Sequence, residues 1–504
     1  MTLLIKNVIL VGAEHSHAGG VDVFVAGERV SAIGRFPHKG ADEVVDGGGA
    51  YLSPGFIDAH TESDHSLGLL AHPSQEYFLR QGVTTIIGGH DGVSLAPLLY
   101  GGLEAFEEWA HVSRKSVDWH TTKEFFAHLA KRRLGVNFVG LVGHRSVRDA
   151  ITGGESRNLT KRELPVLERV IRRAFLEGAS GVSLDMGPRM RDAVAPLELK
   201  LVAQLAKQHN GVCAFSAAGG ASLLSTSADA IRLAKETGVR ALVSHFSPAH
   251  EEEKNFSGLL DAVSDPGAGV DFYFDVSPTG ADPVPLSSFL PHWISRLTRK
   301  EILAHLHDEW MQKKIAHEFA AVSPEDFLVI EAPENAPLAG RTLAEVMQLY
   351  EIKNAKSALI KLMRMSGLRA FVSYPRIRGA DLRKALAHPH SLVSSYGTAT
   401  ERGPFAHRAE HRALPAAFPG FLDRAAKEEL LPRELAIEKI TKRVARFFGL
   451  HGRGEIAEGS VADLTAWGER GIKFVVVNGR VAMLDGEFRG VFAGRPLAPV
   501  RRRA

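Results

Sequence analysis

The stretch GFIDAHTESDHS, residues 55–66, sets Asp58, His60 and Glu62 at alternate positions. Residues two apart share one face of an extended strand, so an imidazole would stand between two carboxylates. Imidazole and carboxylate at this spacing can chelate a divalent ion. The same groups can also simply hydrogen-bond one another in a wet pocket, and these three residues do not decide between the two. Another apolar run, VRALVSH, closes on His245, and GVTTIIGGHD ends with His90 and Asp91, of which only one can face inward. If the runs end at a common mouth, His60, Glu62, Asp91 and His245 offer two nitrogen and up to three oxygen donors. Such a set suits one divalent metal, zinc first, with manganese or iron as alternatives.

A common mouth requires parallel strands. Eight apolar runs alternate with helical patterns between residues 51 and 396. They are YLSPGFIDAH ending at His60, GVTTIIGGHD at Asp91, VNFVGLVGH at His144, GASGVSLD at Asp185, GVCAFS at Ser216, VRALVSH at His245, VDFYFD at Asp275 and HSLVSSY at Tyr396. This is the pattern of an α/β fold, a (β/α)8 TIM-like barrel. Each run ends on a polar residue, and the C-terminal strand ends of such a barrel are where active sites are built.

Both chain ends read differently. Residues 1–53 and 454–504 carry short β-rich runs between glycine turns, the pattern of one composite β-sandwich shared by the termini. Residues 54–282 hold barrel strands one to seven, and 353–453 hold the eighth strand and closing helices. Between them, 283–352 is too long for one crossover helix, and its segment LPHWISRLTRKEILAHLHDEWMQKKIAHEF is strongly helical. This insertion either covers the site as a lid or packs on the barrel flank.

Composition narrows the partners. The 504 residues are 45% apolar and 24% charged, and 61 basic residues nearly balance 58 acidic ones. That balance gives no nucleic-acid surface, and the terminal RRRA reads as a solvated tail. The single Cys213 excludes an internal disulfide and any cysteine-rich zinc module, and fits a cytoplasmic location. No apolar run reaches membrane-spanning length, and the first residues read as a strand, so a membrane is not an expected partner. A small-molecule substrate is. Oligomeric state leaves no mark in the sequence.

PGFIDAHTESD, QGVTTIIGGHDGVS, LVGHRSVRDAITG, EGASGVSLDMG, VSHFSPAH, FDVSPTGA, HRALPAAFPGFL and GRGEIAEGSVADLTAW together resemble the amidohydrolase superfamily. The resemblance is to its D-aminoacylase, or N-acyl-D-amino-acid deacylase, branch, and it extends over nearly the whole chain. It implies a metal-dependent hydrolase of carbon–nitrogen bonds other than peptide bonds, on a barrel with a composite β-sandwich and an insertion before the eighth strand. It also implies a site much altered from the family pattern. His60 and His245 are kept, but Glu62 stands at the second first-strand histidine, Asp91 at a metal-binding cysteine and Ser216 at the fifth-strand histidine. Tyr396 stands at the eighth-strand aspartate that serves as general base, and Ser247 at a lysine that meets the substrate. Asp275 is retained.

Those departures leave Asp185 and Asp275 as the acids placed to act as a substitute base, with Tyr396 able to donate a hydrogen bond to an oxyanion. Two readings follow: an active hydrolase with an altered metal site, at most weak on N-acyl-D-amino acids, or a catalytically silent relative, holding no metal, that binds or assembles.

Overall fold

The computed structural model describes residues 1–12, 20–36, 40–65, 67–99, 117–217, 222–248, 250–295, 297–319, 321–397 and 417–499. The terminal RRRA and the first half of the HRALPAAFPGFL motif lie outside them. So does part of VSHFSPAH.

The first five strands are β1 (Thr2–Leu10), β2 (Val21–Ala26), β3 (Arg29–Gly34), β4 (Glu43–Asp46) and β5 (Tyr51–Pro54). Near the C-terminus come β17 (Leu464–Gly468), β18 (Gly471–Val477), β19 (Arg480–Leu484) and β20 (Glu487–Phe488). All nine join one sheet, because β5 pairs antiparallel with β17 through Leu52–Ala466 and Ser53–Thr465. β1 runs parallel to β4 and β5, so the sheet is mixed and not wholly antiparallel. Alternate residues of both ends, among them Ile5, Val23, Leu464, Phe474 and Val481, fill one shared apolar core.

The barrel strands are β6 (Phe56–Asp58), β7 (Val83–Gly88), β8 (Asn137–Gly143), β9 (Gly181–Asp185), β10 (Val212–Ser216), β11 (Arg240–Ser244), β12 (Phe272–Val276) and β16 (Ser391–Val393). They pair in parallel from β6 to β12 in chain order and then to β16. Their two-residue period sorts side chains into two cores. Cys213, Phe215, Val243 and Phe274 face the outer helices, while Ala214, Leu242, Ile87 and Leu392 fill the interior, plugged by Phe447 and Phe448. β16 and β6 meet without a ladder. Ser395 N donates to Asp58 Oδ1 at 3.1 Å and Tyr396 N to the His60 carbonyl at 3.2 Å, which closes the ring of strands at the site.

The excursion before β16 is wider than 283–352. β13 (Ala281–Pro285) and β14 (Leu328–Glu331) both pair antiparallel with β15 (Phe371–Pro375), so the unit spans 281–375. The boundary moves because the apolar run FVSYP completes a small sheet with its own core, including Ile294, Phe327, Leu359 and Val372. Its continuous helical pattern is broken into helices His292–Ser295, Arg299–His307 and Glu309–Glu318. Thr298 and Asp308 interrupt it by capping the helices that follow them.

Candidate metal centre

His60, Glu62, Asp91 and His245 converge, each offering one ligand atom within 4.8 Å of the others, and all four are buried. Asp91 Oδ2 lies 3.7 Å from His60 Nε2 and 3.4 Å from His245 Nε2, and Glu62 Oε1 lies 3.6 Å from His245 Nε2. These separations are longer than hydrogen bonds. They match the roughly 3.3–3.6 Å between ligand atoms that tetrahedral coordination at about 2.0–2.2 Å produces. His60 Nε2 and both Asp91 carboxylate oxygens are buried with no hydrogen-bond partner among the described residues. Buried polar atoms left this way are costly, and a cation between them removes the cost. The donor set therefore fits a divalent ion.

Local backbone explains how these side chains reach one volume. Asp91, His245 and Tyr396 all lie beyond the last residue of their strands and all take left-handed φ, at 56°, 55° and 51°. Non-glycine residues adopt that conformation at a cost, and it turns each side chain out of strand alternation and into the mouth. Gly89, just before His90, also has positive φ, and an added Cβ would lie 2.3 Å from the Leu141 carbonyl oxygen. Only glycine lets this turn sit so close to β8. Of the consecutive pair, Asp91 faces the cluster. His90 turns aside, its Nε2 at 3.0 Å from the Ala59 carbonyl, and its ring stacks on His60 with centroids 3.7 Å apart.

Behind the cluster stands Asp275. Its Oδ2 is 3.2 Å from His60 Nδ1, and its Oδ1 accepts from the His245 amide at 2.8 Å and from the Tyr396 hydroxyl at 2.6 Å. Burial opposes a charge on His60, yet Asp275 and Asp91 outweigh it and raise its pKa to about 9. Burial also opposes ionisation of Asp91, but His245 and His60 hold its carboxyl well below the usual range. Without an ion, the site compensates its carboxylates with protons; a cation does the same.

Other expected residues sit elsewhere. Asp58 does not join the cluster, because β6 ends there and strand alternation no longer applies; its carboxylate accepts from the Ser395 amide and hydroxyl. Burial raises its pKa to about 7. Asp185 is taken up by Arg145 Nη1 at 3.3 Å and by the Gly187 amide at 2.8 Å. Asp275 and Tyr396 reach the site, but their polar atoms are engaged with each other and with the two histidines. Ser216 and Ser247 are buried at the ends of their segments. Asp64 was not singled out in the sequence; its Oδ2 accepts from Gly89 N at 2.9 Å and braces the turn that carries Asp91. GGHDG gave no sign of that partner.

No family model matches the chain. It is 28% identical to N-acyl-D-aspartate deacylase of Alcaligenes xylosoxydans xylosoxydans, over 97% of this chain and 95% of that one. D-Aminoacylase of the same organism is 26% identical, over 98% and 97%. A crystal structure of N-acyl-D-glutamate deacylase from Bordetella bronchiseptica, complexed with zinc and a phosphonate inhibitor, superposes with a TM-score of 0.75 at 20% identity. That match covers 98% of this chain and 99% of the other. Full-length relatives and a shared fold support one likeness: the chain resembles the D-aminoacylase branch of the amidohydrolase superfamily.

Proposed function

We propose that the protein hydrolyses an amide-type C–N bond of a small molecule, as a deacylase, with one divalent ion held by His60, Glu62, Asp91 and His245. The observation that carries this is the convergence of four buried donors at 3.4–3.7 Å contacts. The relatives support the reading: two are named as deacylases of N-acyl-D-amino acids, and one such structure is described with zinc. A bound divalent ion supplies Lewis acidity toward the amide carbonyl and toward water.

The chain's own residues do the rest. Asp275 Oδ2 accepts a hydrogen bond from Nδ1–H of His60, which leaves Nε2 as the lone pair facing the cluster. Water adds to the carbonyl carbon, the C–N bond breaks, and an acid and an amine form. The carboxylate left to accept the proton lost by water and return it to the leaving nitrogen is Asp91, a weak base because the two histidines hold its carboxyl well below the usual range. Tyr396 stands where the branch carries its usual base, and its hydroxyl is given to Asp275, so turnover is slow by general-base standards, by about 10² to 10⁴. Ser247 gives an entering carboxylate no cation, which weakens N-acyl-amino-acid binding.

Elemental analysis of protein purified without added metal tests this, beside hydrolysis of an N-acyl-D-amino-acid panel. Wild type is expected to hold one ion per chain and His245→Ala none. A metal-free wild type that hydrolyses nothing with added zinc or manganese establishes the silent alternative, and two tightly held ions overturn the single-ion site.

A further inference from the structure

Tyr396 touches every part of the centre that orients a nitrogen donor. Its ring stacks on His245, with centroids 4.3 Å apart and planes at 18°, and meets His60 edge-on at 4.9 Å and 87°. Its amide donates to the His60 carbonyl, and its hydroxyl to Asp275 Oδ1. Asp275 then bonds the His60 ring and the His245 backbone. Tyr396 is wholly buried and pays for left-handed backbone to reach this position. A hydroxyl committed at 2.6 Å to a carboxylate is a poor donor to an oxyanion, and its proton keeps Asp275 turned toward Nδ1 of His60.

We propose that Tyr396 is the positioning residue of this centre: through Asp275 it fixes the tautomer of His60, and through its ring it fixes the plane of His245. It is not itself the base or the oxyanion donor. The inference rests on the metal reading above, because the geometry it protects is that of ion binding. Partners that orient ligating groups typically contribute about 10- to 100-fold to metal affinity.

The test compares wild type, Tyr396→Phe and Asp275→Asn for zinc affinity by chelator competition, for the visible spectrum of the Co²⁺-loaded protein, and for unfolding of the ion-free protein. Tyr396→Phe keeps the ring and removes only the hydroxyl. The expected result is a zinc affinity roughly 10- to 100-fold lower, with a shifted Co²⁺ spectrum and a nearly unchanged ion-free unfolding midpoint. Asp275→Asn should lose at least as much affinity, and it carries the test if Tyr396→Phe does not fold. Wild-type zinc affinity and spectrum in either folded variant overturn the positioning role alone. A wild type that binds neither zinc nor Co²⁺ overturns the metal reading and this inference with it.

Discussion

Among the described residues, two of the barrel's buried polar clusters, one at each end, are built on opposite terms. At the floor, Asn137 opens β8 and bonds Asp463 at 3.1 Å; Asp463 also pairs with Arg453 and accepts the Asn478 amide at 2.7 Å. Asn478 returns a bond to Asn137 at 2.8 Å, and Arg453 one to Asn478 at 2.8 Å. The chain between β8 and the terminal sheet is thereby tied by a network in which these side chains satisfy one another. At the mouth, His60 Nε2 and the Asp91 oxygens are buried without such partners, on backbone held in left-handed conformations. Satisfied groups at the strand N-termini serve stability, and the unsatisfied ones at the C-termini are those the proposed function assigns to an ion.

The contrast is sharpest if the floor is broken. Asp463→Ala leaves Arg453 buried without its counter-charge, and removing one partner of a buried pair costs about 3–5 kcal/mol. Urea unfolding should show that loss, while the ion content of the folded protein stays at the wild-type value. A cost below about 1 kcal/mol would erase the difference between the two ends.

At the mouth the expected sensitivity is to the ion. Free zinc at a hundred times its Kd should stabilise the wild type by about 2.7 kcal/mol, from mass action alone. In Asp91→Asn that increment should vanish, with an ion-free stability that changes less than in the floor variant. An undiminished zinc increment in Asp91→Asn would remove Asp91 from the ligand set.

How far these ends were legible in the sequence depended on where strands stop. The outward–inward alternation of VCAFS and RALVS is set by a two-residue period, and the helical runs between strands by their own, so the barrel could be read directly. Period two also placed His60 and Glu62 together, but it placed Asp58 with them, and β6 ends at Asp58. Beyond strand ends, side-chain direction follows single φ values, and nothing in HD, SH or SY announces left-handed backbone. The bond from Tyr396 to Asp275 joins residues 121 apart in the chain, and its existence depends on that backbone. The floor network was invisible for a related reason: Asn137, Arg453, Asp463 and Asn478 lie in turns and strand starts with no common spacing. The sheet of the insertion was missed because Phe371–Pro375 resembles any short barrel strand until its antiparallel partners are known.

A third cluster decides whether location or satisfaction sets the behaviour of buried charge here. His144 follows β8 directly and so lies at the mouth side, yet its carboxylate partner is paired as at the floor: His144 Nε2 is 2.8 Å from Glu198 Oε1, which also accepts from Arg148 Nε at 3.0 Å. His144 Nδ1 and Arg148 Nη1 are buried without a hydrogen-bond partner among the described residues. All three residues are buried. Burial opposes ionisation of Glu198, but the bond and charge of His144, with Arg148, prevail and hold its carboxyl below the ordinary 4.5. A carboxyl depressed on folding contributes stability that is fully present above its unfolded pKa and lost as pH falls through the folded one. Glu198→Gln should therefore cost on the order of 1.5 kcal/mol at pH 7, the scale of a hydrogen bond to a charged group. The gap from wild type should begin to close as the pH falls below about 4.5, where the carboxyl of the unfolded chain gains its proton, and disappear as the pH falls through the lower folded value. Zinc affinity should not move. Urea unfolding of both proteins from pH 7 down to pH 3 gives the first answer and chelator competition the second. A gap that stays constant with pH would show that the charge of Glu198 does not stabilise the fold, and a fall in zinc affinity would show that position at the mouth, not satisfaction, governs what a buried charge does in this barrel.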